Sequence, residues 1–233
     1  MTERTEPAIK TEVCRQPDRA RYDRATIDAI LDEAMFCNVA FIDEGHPYAI
    51  PTIHVRVDDT LILHGSPASR MLRTLEAGAE ASIAVTVLDG LVLARSVFHH
   101  SMNYRSVVLF GTAHKITDRN DKLEAMRVFT EKILPGRWEE ARTPTDKEFE
   151  GTLMLGIPIE AASAKMRSGP PDDDPADLEL PVWAGVIPYQ LEPGQPEPAP
   201  DLGEGIGFPD RLAGLSAPAL PSDVGVGEDE AGV

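Results

Sequence analysis

Within eight consecutive residues, Leu63-His64-Gly65-Ser66-Pro67-Ala68-Ser69-Arg70, the chain gathers an imidazole, two hydroxyls and a guanidinium around one glycine and one proline. The run before this stretch, Leu61-Ile62-Leu63, reads as the end of a strand. Ala68 to Ala77 reads as a short helix closed by Gly78. A strand that stops at a glycine and a helix that starts on a serine collect unpaired N–H groups, a hydroxyl donor and a forked cation at one corner. A phosphate dianion needs those groups. The same residues also suit an ordinary helix start, with Ser66 as the cap and Arg70 in solvent.

A second polar cluster, Asn103-Tyr104-Arg105-Ser106, opens the longest strand candidate, Ser106 to Ile116, just after His99-His100-Ser101. It is either a loop rim or the second jaw of a ligand site. His99, His100 and a third histidine could in principle hold a metal, but adjacent residues on a strand face opposite ways and seldom share one ion. Ser163-Ala164-Lys165-Met166-Arg167 ends a later strand, and Trp183 sits on the apolar island Pro181 to Ile187. The two basic residues are either solvated or part of a cationic lining. Trp183 is either a hydrophobic plug or a surface for stacking on a planar ring. Two separated cationic patches at strand ends fit a phosphorylated planar ligand.

These groups must be positioned by the elements between them. Ile27, Ile30, Leu31 and Ala34 follow helical spacing, with Asp23 as the N-cap and an end expected near Cys37. Val39 to Ile42 reads as a strand, Asp43-Glu44-Gly45-His46-Pro47 as a turn, and Tyr48 to Val57 as a second strand. Pro51 puts that strand at an edge, a bulge or a strand end. Ala81 to Leu88, Thr152 to Glu160 and Ala161 to Met166 are further strands, and a helix runs from about Asp121 to Ile133 before Pro135-Gly136. Short strands with a few short helices predict a mostly β protein built on a small antiparallel barrel. Neither strand–helix alternation nor a glycine-rich Rossmann or P-loop signature occurs.

The chain has 233 residues and a formal net charge of −17, from 22 basic and 39 acidic side chains. That balance disfavours nucleic acid and anionic membranes as partners. From Glu192 onward Arg211 is the one basic residue, so this proline- and glycine-rich stretch carries about half of the net charge. The expected domains are an extended lead over 1–21, a folded domain over 22–190 and a disordered acidic tail over 191–233. Two cysteines, Cys14 and Cys37, make no disulfide framework or metal motif, and neither a signal peptide nor a long apolar span is evident. The cytoplasm is the expected compartment.

The ordered series of segments is similar to the pyridoxamine 5'-phosphate oxidase-like flavin mononucleotide (FMN)-binding split-barrel family, nearest the nitroimidazole-reductase branch. The resemblance is carried by Leu61 to Leu75 with His64-Gly65 and Ser69-Arg70, by Tyr104 to Ala113, by Leu134-Pro135-Gly136 and by Ala164-Lys165. It spans about residues 22–190 and implies a split β-barrel homodimer with FMN at the interface. It further implies that Ser69 and Arg70 hold the flavin phosphate, with His64 and Gly65 lining the ribityl or ring region. Arg105 and Ser106 would contact the flavin from the other strand, Lys165 would join them, and Thr52, Ile53 and His54 would edge the ring. Met71 stands where the oxidases carry lysine, and the chain lacks their basic C-terminal segment. The implied activity is reduction of a small electron-poor molecule, with NAD(P)H as candidate donor. His64 is the candidate acid–base residue, or simply a hydrogen-bond partner of the flavin. A non-catalytic protein that binds or senses a flavin, deazaflavin or haem is the alternative reading, and a cofactor-free scaffold a third. Trp183 is the candidate wall of the flavin groove.

Overall fold

The computed structural model describes residues 11–215. Its framework is a pair of antiparallel sheets. The larger, seven-stranded sheet runs in the order β1 (Ala20–Arg21), β10 (Ala161–Arg167), β7 (Ser101–Thr112), β6 (Glu80–Leu93), β2 (Phe36–Asp43) and β3 (His46–Ile53). Its seventh strand, β11 (Gly185–Pro188), pairs with the second half of β6, and β2 pairs with the first half. The smaller sheet runs β4 (Val55–Val57), β5 (Thr60–Gly65), β9 (Leu153–Pro158) and β8 (His114–Lys115).

Alternation along the strands builds one core between the sheets, giving the mostly β split barrel that the sequence predicts. Cys37, Val39 and Phe41 of β2 point inward with Ile83 and Val85 of β6 and Val107 and Leu109 of β7. Leu61, Leu63, Leu155 and Ile157 meet them from the smaller sheet. Helix α1 (Arg24–Glu33) covers this core with Ile27, Ile30 and Leu31, and α2 (Arg70–Glu76) covers it with Met71, Leu72 and Leu75. Asp23 caps α1 by accepting from the Thr26 N–H, as its position predicts. Helix α1 ends four residues before Cys37, because Ala34 is already extended and Phe36 opens β2.

The other face of the small sheet is covered by α3 (Arg119–Ile133). Val55, Ile62 and Met154 there pack on Ala125 and Phe129. Two short helices follow, α4 (Arg137–Glu140) and α5 (Asp146–Glu150), the latter held by a reciprocal cap between Thr145 and Glu148.

The hairpin β2–β3 turns through Glu44 and Gly45, both at positive φ, and leaves β3 as an edge strand with prolines at 47 and 51. The stretch Tyr48 to Val57 is therefore two strands, broken at His54 where the chain crosses to the small sheet. Strand β6 continues to Leu93 across a bulge between Leu88 and Gly90, which makes it longer than β7. Among the described residues, 11–188 form one compact unit and 189–215 a second. In the second, the described residues 189–215 hold a single short 3-10 turn, Asp210–Leu215. Among the described residues, no helix is long and apolar enough to cross a membrane.

Candidate functional site

The turn between β5 and α2 assembles the corner anticipated from the sequence. Ser69 takes the N-cap of α2 with extended backbone, its N–H donating to the Ser66 carbonyl at 2.9 Å. Ser66 Oγ accepts from the Ala68 N–H at 3.2 Å. A Cβ on Gly65 would stand 3.1 Å from Leu72 Cδ1, so the helix packs close against this turn. Arg70 leaves the helix toward the β2–β3 hairpin. Its Nη1 donates to Tyr48 Oη at 2.5 Å, and the guanidinium lies 4.8 Å from the Tyr48 ring centroid, with Nε 3.6 Å from Asp43 Oδ2. Tyr48 is itself stacked on Phe41, so the phenol is a firm support. The Arg70 side chain remains 57% exposed. It is a steadied cation with donor capacity to spare, which suits an anionic ligand.

Met71, the departure from the oxidase pattern, lies on the opposite side of α2 and is only 6% exposed within the main core. The residue after the arginine therefore faces the core and does not reach the corner. A lysine there would not restore a phosphate partner.

The second cationic patch is differently arranged. Arg105 donates to both carboxylate oxygens of Glu33, at the end of α1. It also donates to Asp89, in the β6 bulge, with Nη2 at 2.7 Å and Nε at 3.0 Å from the carboxylate oxygens. These bonds push the arginine's pKa further up and the Glu33 carboxyl down. One cation between two carboxylates makes a locked strut with net negative charge. Neighbouring Ser106 donates to the Lys165 carbonyl at 3.1 Å, and Lys165 Nζ to the Arg15 carbonyl at 2.9 Å. Arg167 and Asn103 bond each other, and both reach the Gly169 carbonyl. Trp183 is 63% exposed, its indole resting where a Cβ on Gly185 would be 3.0 Å away. His99 and His100 lie in a short 3-10 turn and its cap, reaching Asp174 and the Ser96 carbonyl. Among the described residues, no three His, Cys, Asp or Glu side chains gather as a metal site.

Thr52 and Ile53 end the edge strand β3, while His54 leaves it for the interior. The His54 ring is fully buried, with Nε2 2.9 Å from the Leu31 carbonyl, which also accepts from Lys132 Nζ at 3.0 Å. This shared carbonyl lies in the last turn of α1, where donors are favoured. Burial, reinforced by the Lys132 ammonium, lowers the His54 pKa to about 4, and burial lowers that of Lys132 to about 8. At neutral pH the ring is uncharged and donates from Nε2. Its unfolded counterpart protonates near 6.5. Stability from this ring is complete above that value and declines as the pH falls toward the folded value. The unfolding free energy is expected to drop by about 2 kcal/mol from this group between pH 7 and pH 5. Urea unfolding at the two pH values checks it: His54→Gln should lose about that much less than the native chain, and an equal loss would contradict a neutral buried ring.

His64 stands apart from the other candidates. On β5, Leu61 and Leu63 face the main core, while Ile62 and His64 face α3. The imidazole packs on Phe129, ring centroids 4.1 Å apart, and lines a cavity of about 450 Å³. The cavity is walled by Met154 of β9, by Met126, Phe129, Thr130 and Ile133 of α3, and by Trp138 of α4. Ala141, Pro144 and Thr152 line it as well, and Arg142 and Glu148, paired at 2.7 Å, supply its charged groups. None of the other residues singled out in the sequence lines it. His64 Nδ1 is buried with no hydrogen-bond partner, and loss of water depresses its pKa. Of this site only the histidine was visible in the sequence. The residues 137–150 that complete the wall showed no long periodicity, and the Thr145-x-x-Glu148 cap was the one signal that could have found them.

A family model described as pyridoxamine 5'-phosphate oxidase matches residues 23–166. The flavocytochrome Anf3 from Azotobacter vinelandii is similar in structure, with a TM-score of 0.81 and 39% identity over 88% of this chain and 95% of its own. A flavin adenine dinucleotide (FAD) and haem binding protein from Mycobacterium smegmatis gives 0.79 and 40%, over 84% and 97%. A putative 5-nitroimidazole antibiotic resistance protein from Bacteroides thetaiotaomicron shares the fold at 0.53 and 22% identity, over 63% of this chain and 85% of its own. No curated protein matches the chain significantly.

Proposed function

The chain belongs to the pyridoxamine 5'-phosphate oxidase family, and from that premise we propose that it is a flavin-dependent redox protein whose flavin phosphate is held at the Arg70 corner. The observation that carries this reading is the Arg70 guanidinium, exposed yet steadied by Tyr48, beside the Ser66 and Ser69 turn. The sequence resemblance implies FMN. The relative from Mycobacterium smegmatis, at 40% identity, is named for FAD, which favours the dinucleotide here. Arg70 and the serines suit a phosphate of either. Thr52 and Ile53, on the outer edge strand, would border the ring. When bound, a flavin supplies hydride chemistry suited to reducing a small electron-poor acceptor, with NAD(P)H as candidate donor.

We further propose a homodimer that closes the flavin groove. Phe36 and Ile42 on the outward face of β2 are 62% and 65% exposed, beside the open edge of β3. Such side chains gain most from burial against a second copy. Size-exclusion chromatography with absorbance detection tests both parts. Flavin is expected to co-elute with a dimer and to be released on denaturation, where its mass distinguishes FAD from FMN. A colourless protein that takes up neither nucleotide overturns the flavin reading, and a monomer retaining stoichiometric flavin overturns the closed groove.

A second reading is favoured by the His64 cavity. Both relatives near 40% identity carry haem or cytochrome in their names. An apolar chamber with one unengaged imidazole suits a haem beside the flavin.

A further inference from the structure

We propose that Lys132 captures short 2-oxo acids as a reversible imine, in a cavity of about 350 Å³ between α1, β4 and α3. Asp32 of α1, Val55 and Arg56 of β4, and Arg127, Val128 and Lys132 of α3 line it. The cavity shares no residue with the His64 chamber, which uses other positions of the same helix, and none with the Arg70 corner.

The amine is placed as a nucleophile and not as a strut. Lys132 is half-buried in the last turn of α3, and Nζ donates to the Leu31 carbonyl at 3.0 Å. His54 Nε2 already serves that carbonyl at 2.9 Å, so the fold does not need a second donor there. The carboxylates on the cavity wall are engaged elsewhere. Asp32 accepts from Arg56 at 2.9 Å and 2.5 Å, and Glu131 accepts from the Gly136 and Trp138 N–H groups. The remaining titratable groups near the amine, His54 and the Cys37 thiol, carry no charge at neutral pH. Burial outweighs the attraction of Asp32 and brings the pKa of Lys132 down to about 8, so free base is present at neutral pH. A desolvated lysine beside other cations is the setting in which an amine attacks carbonyl carbon.

The neutral Nζ bonds to the carbonyl carbon. With one proton from the amine and one from solvent, the carbonyl oxygen leaves as water. The product is an iminium with one positive charge and one N–H. That N–H stays on the Leu31 carbonyl, so capture leaves the acceptor served, and hydrolysis returns the free acid. The walls select the ligand. Val55 and Val128 give a short carbon chain an apolar bed. Arg127 is paired with Glu124 three residues back on α3, at 2.6 Å, and both side chains are exposed. Such a pair contributes little, so the guanidinium can turn to an incoming carboxylate. Arg56, locked on Asp32, is the fixed wall.

The test treats the full-length protein, as purified, with glyoxylate and cyanoborohydride, which fixes an imine as a secondary amine. Peptide mapping by mass spectrometry then locates the adducts. At pH 7.5 Lys132 is expected to be labelled at least about tenfold faster than the other lysines, because far more of it is free base. Its labelling should rise with a midpoint near pH 8, against 10.5 for an ordinary lysine. Arg127→Gln should slow labelling by glyoxylate severalfold and leave labelling by acetaldehyde, which lacks the carboxylate, unchanged. Lys132→Arg, which keeps a donor for Leu31, should lose the fast adduct. Labelling spread evenly over the lysines, or none at Lys132, overturns the capture site. Preferred labelling of Lys132 with no difference between the two aldehydes in Arg127→Gln overturns the choice of an acid as ligand. Mapping on the native chain decides the first point even if a variant fails to fold.

Discussion

Met71→Lys is expected to lower the unfolding free energy by about 3–5 kcal/mol and to leave flavin affinity no better. From the sequence alone the same change looks like the repair of a missing phosphate partner. The structure places the side chain elsewhere. Met71, Leu72 and Leu75 form the buried stripe of α2 and lie in the core cluster with Leu61 and Leu153. An ammonium there forfeits the packing of the thioether and must be desolvated without a counter-charge, a combination at the severe end for point substitutions. A lysine that reaches solvent along its methylene stem would reduce the loss but drag the first turn of α2 with it. Denaturant unfolding of the purified variant measures the effect. A variant as stable as the native chain, with tighter flavin binding, would show that position 71 reaches the phosphate.

Arg70→Ala should weaken flavin binding by about 2–3 kcal/mol, the scale of losing a charge-assisted phosphate contact. Folding should scarcely change, because the side chain is mostly exposed and its ion pair with Asp43 is long, at 3.6 Å. Fluorescence titration of the flavin-free protein measures the binding. Arg70→Lys separates charge from shape: it keeps the cation but loses the fork and the stacking on Tyr48, so it should recover only part of the affinity. Unchanged affinity in Arg70→Ala would remove the phosphate from this corner.

The elements legible in the sequence were those specified by neighbours along the chain. Asp23 before an i, i+3, i+4 apolar stripe, the Glu44-Gly45 hairpin and Gly78 at φ +97 each carry their reason locally. The β5–α2 corner was legible for the same cause, since its polar groups fall within eight residues. Arg105 was misleading because its two carboxylates come from positions 33 and 89, which no local pattern connects to it. The burial of Met71 is written in the helical spacing of 71, 72 and 75. The His64 chamber needed α4 and α5, four and five residues long, below the length at which hydrophobic spacing speaks.

The two prolines of β3 decide how this protein can and cannot grow. In a two-residue hairpin closed by the pair Asp43 and His46, residues 47, 49 and 51 of β3 direct their backbone groups away from β2. Positions 47 and 51 are prolines, so between them the outward edge offers three carbonyls and only one N–H, that of Ala49. A strand from another chain seeking alternating donors and acceptors finds the donors missing. The longest open sheet in the molecule therefore resists conversion into a fibre by strand addition, and its bare carbonyls remain free for groups that only donate. Extended, unfinished chains in a crowded solution would find little purchase there.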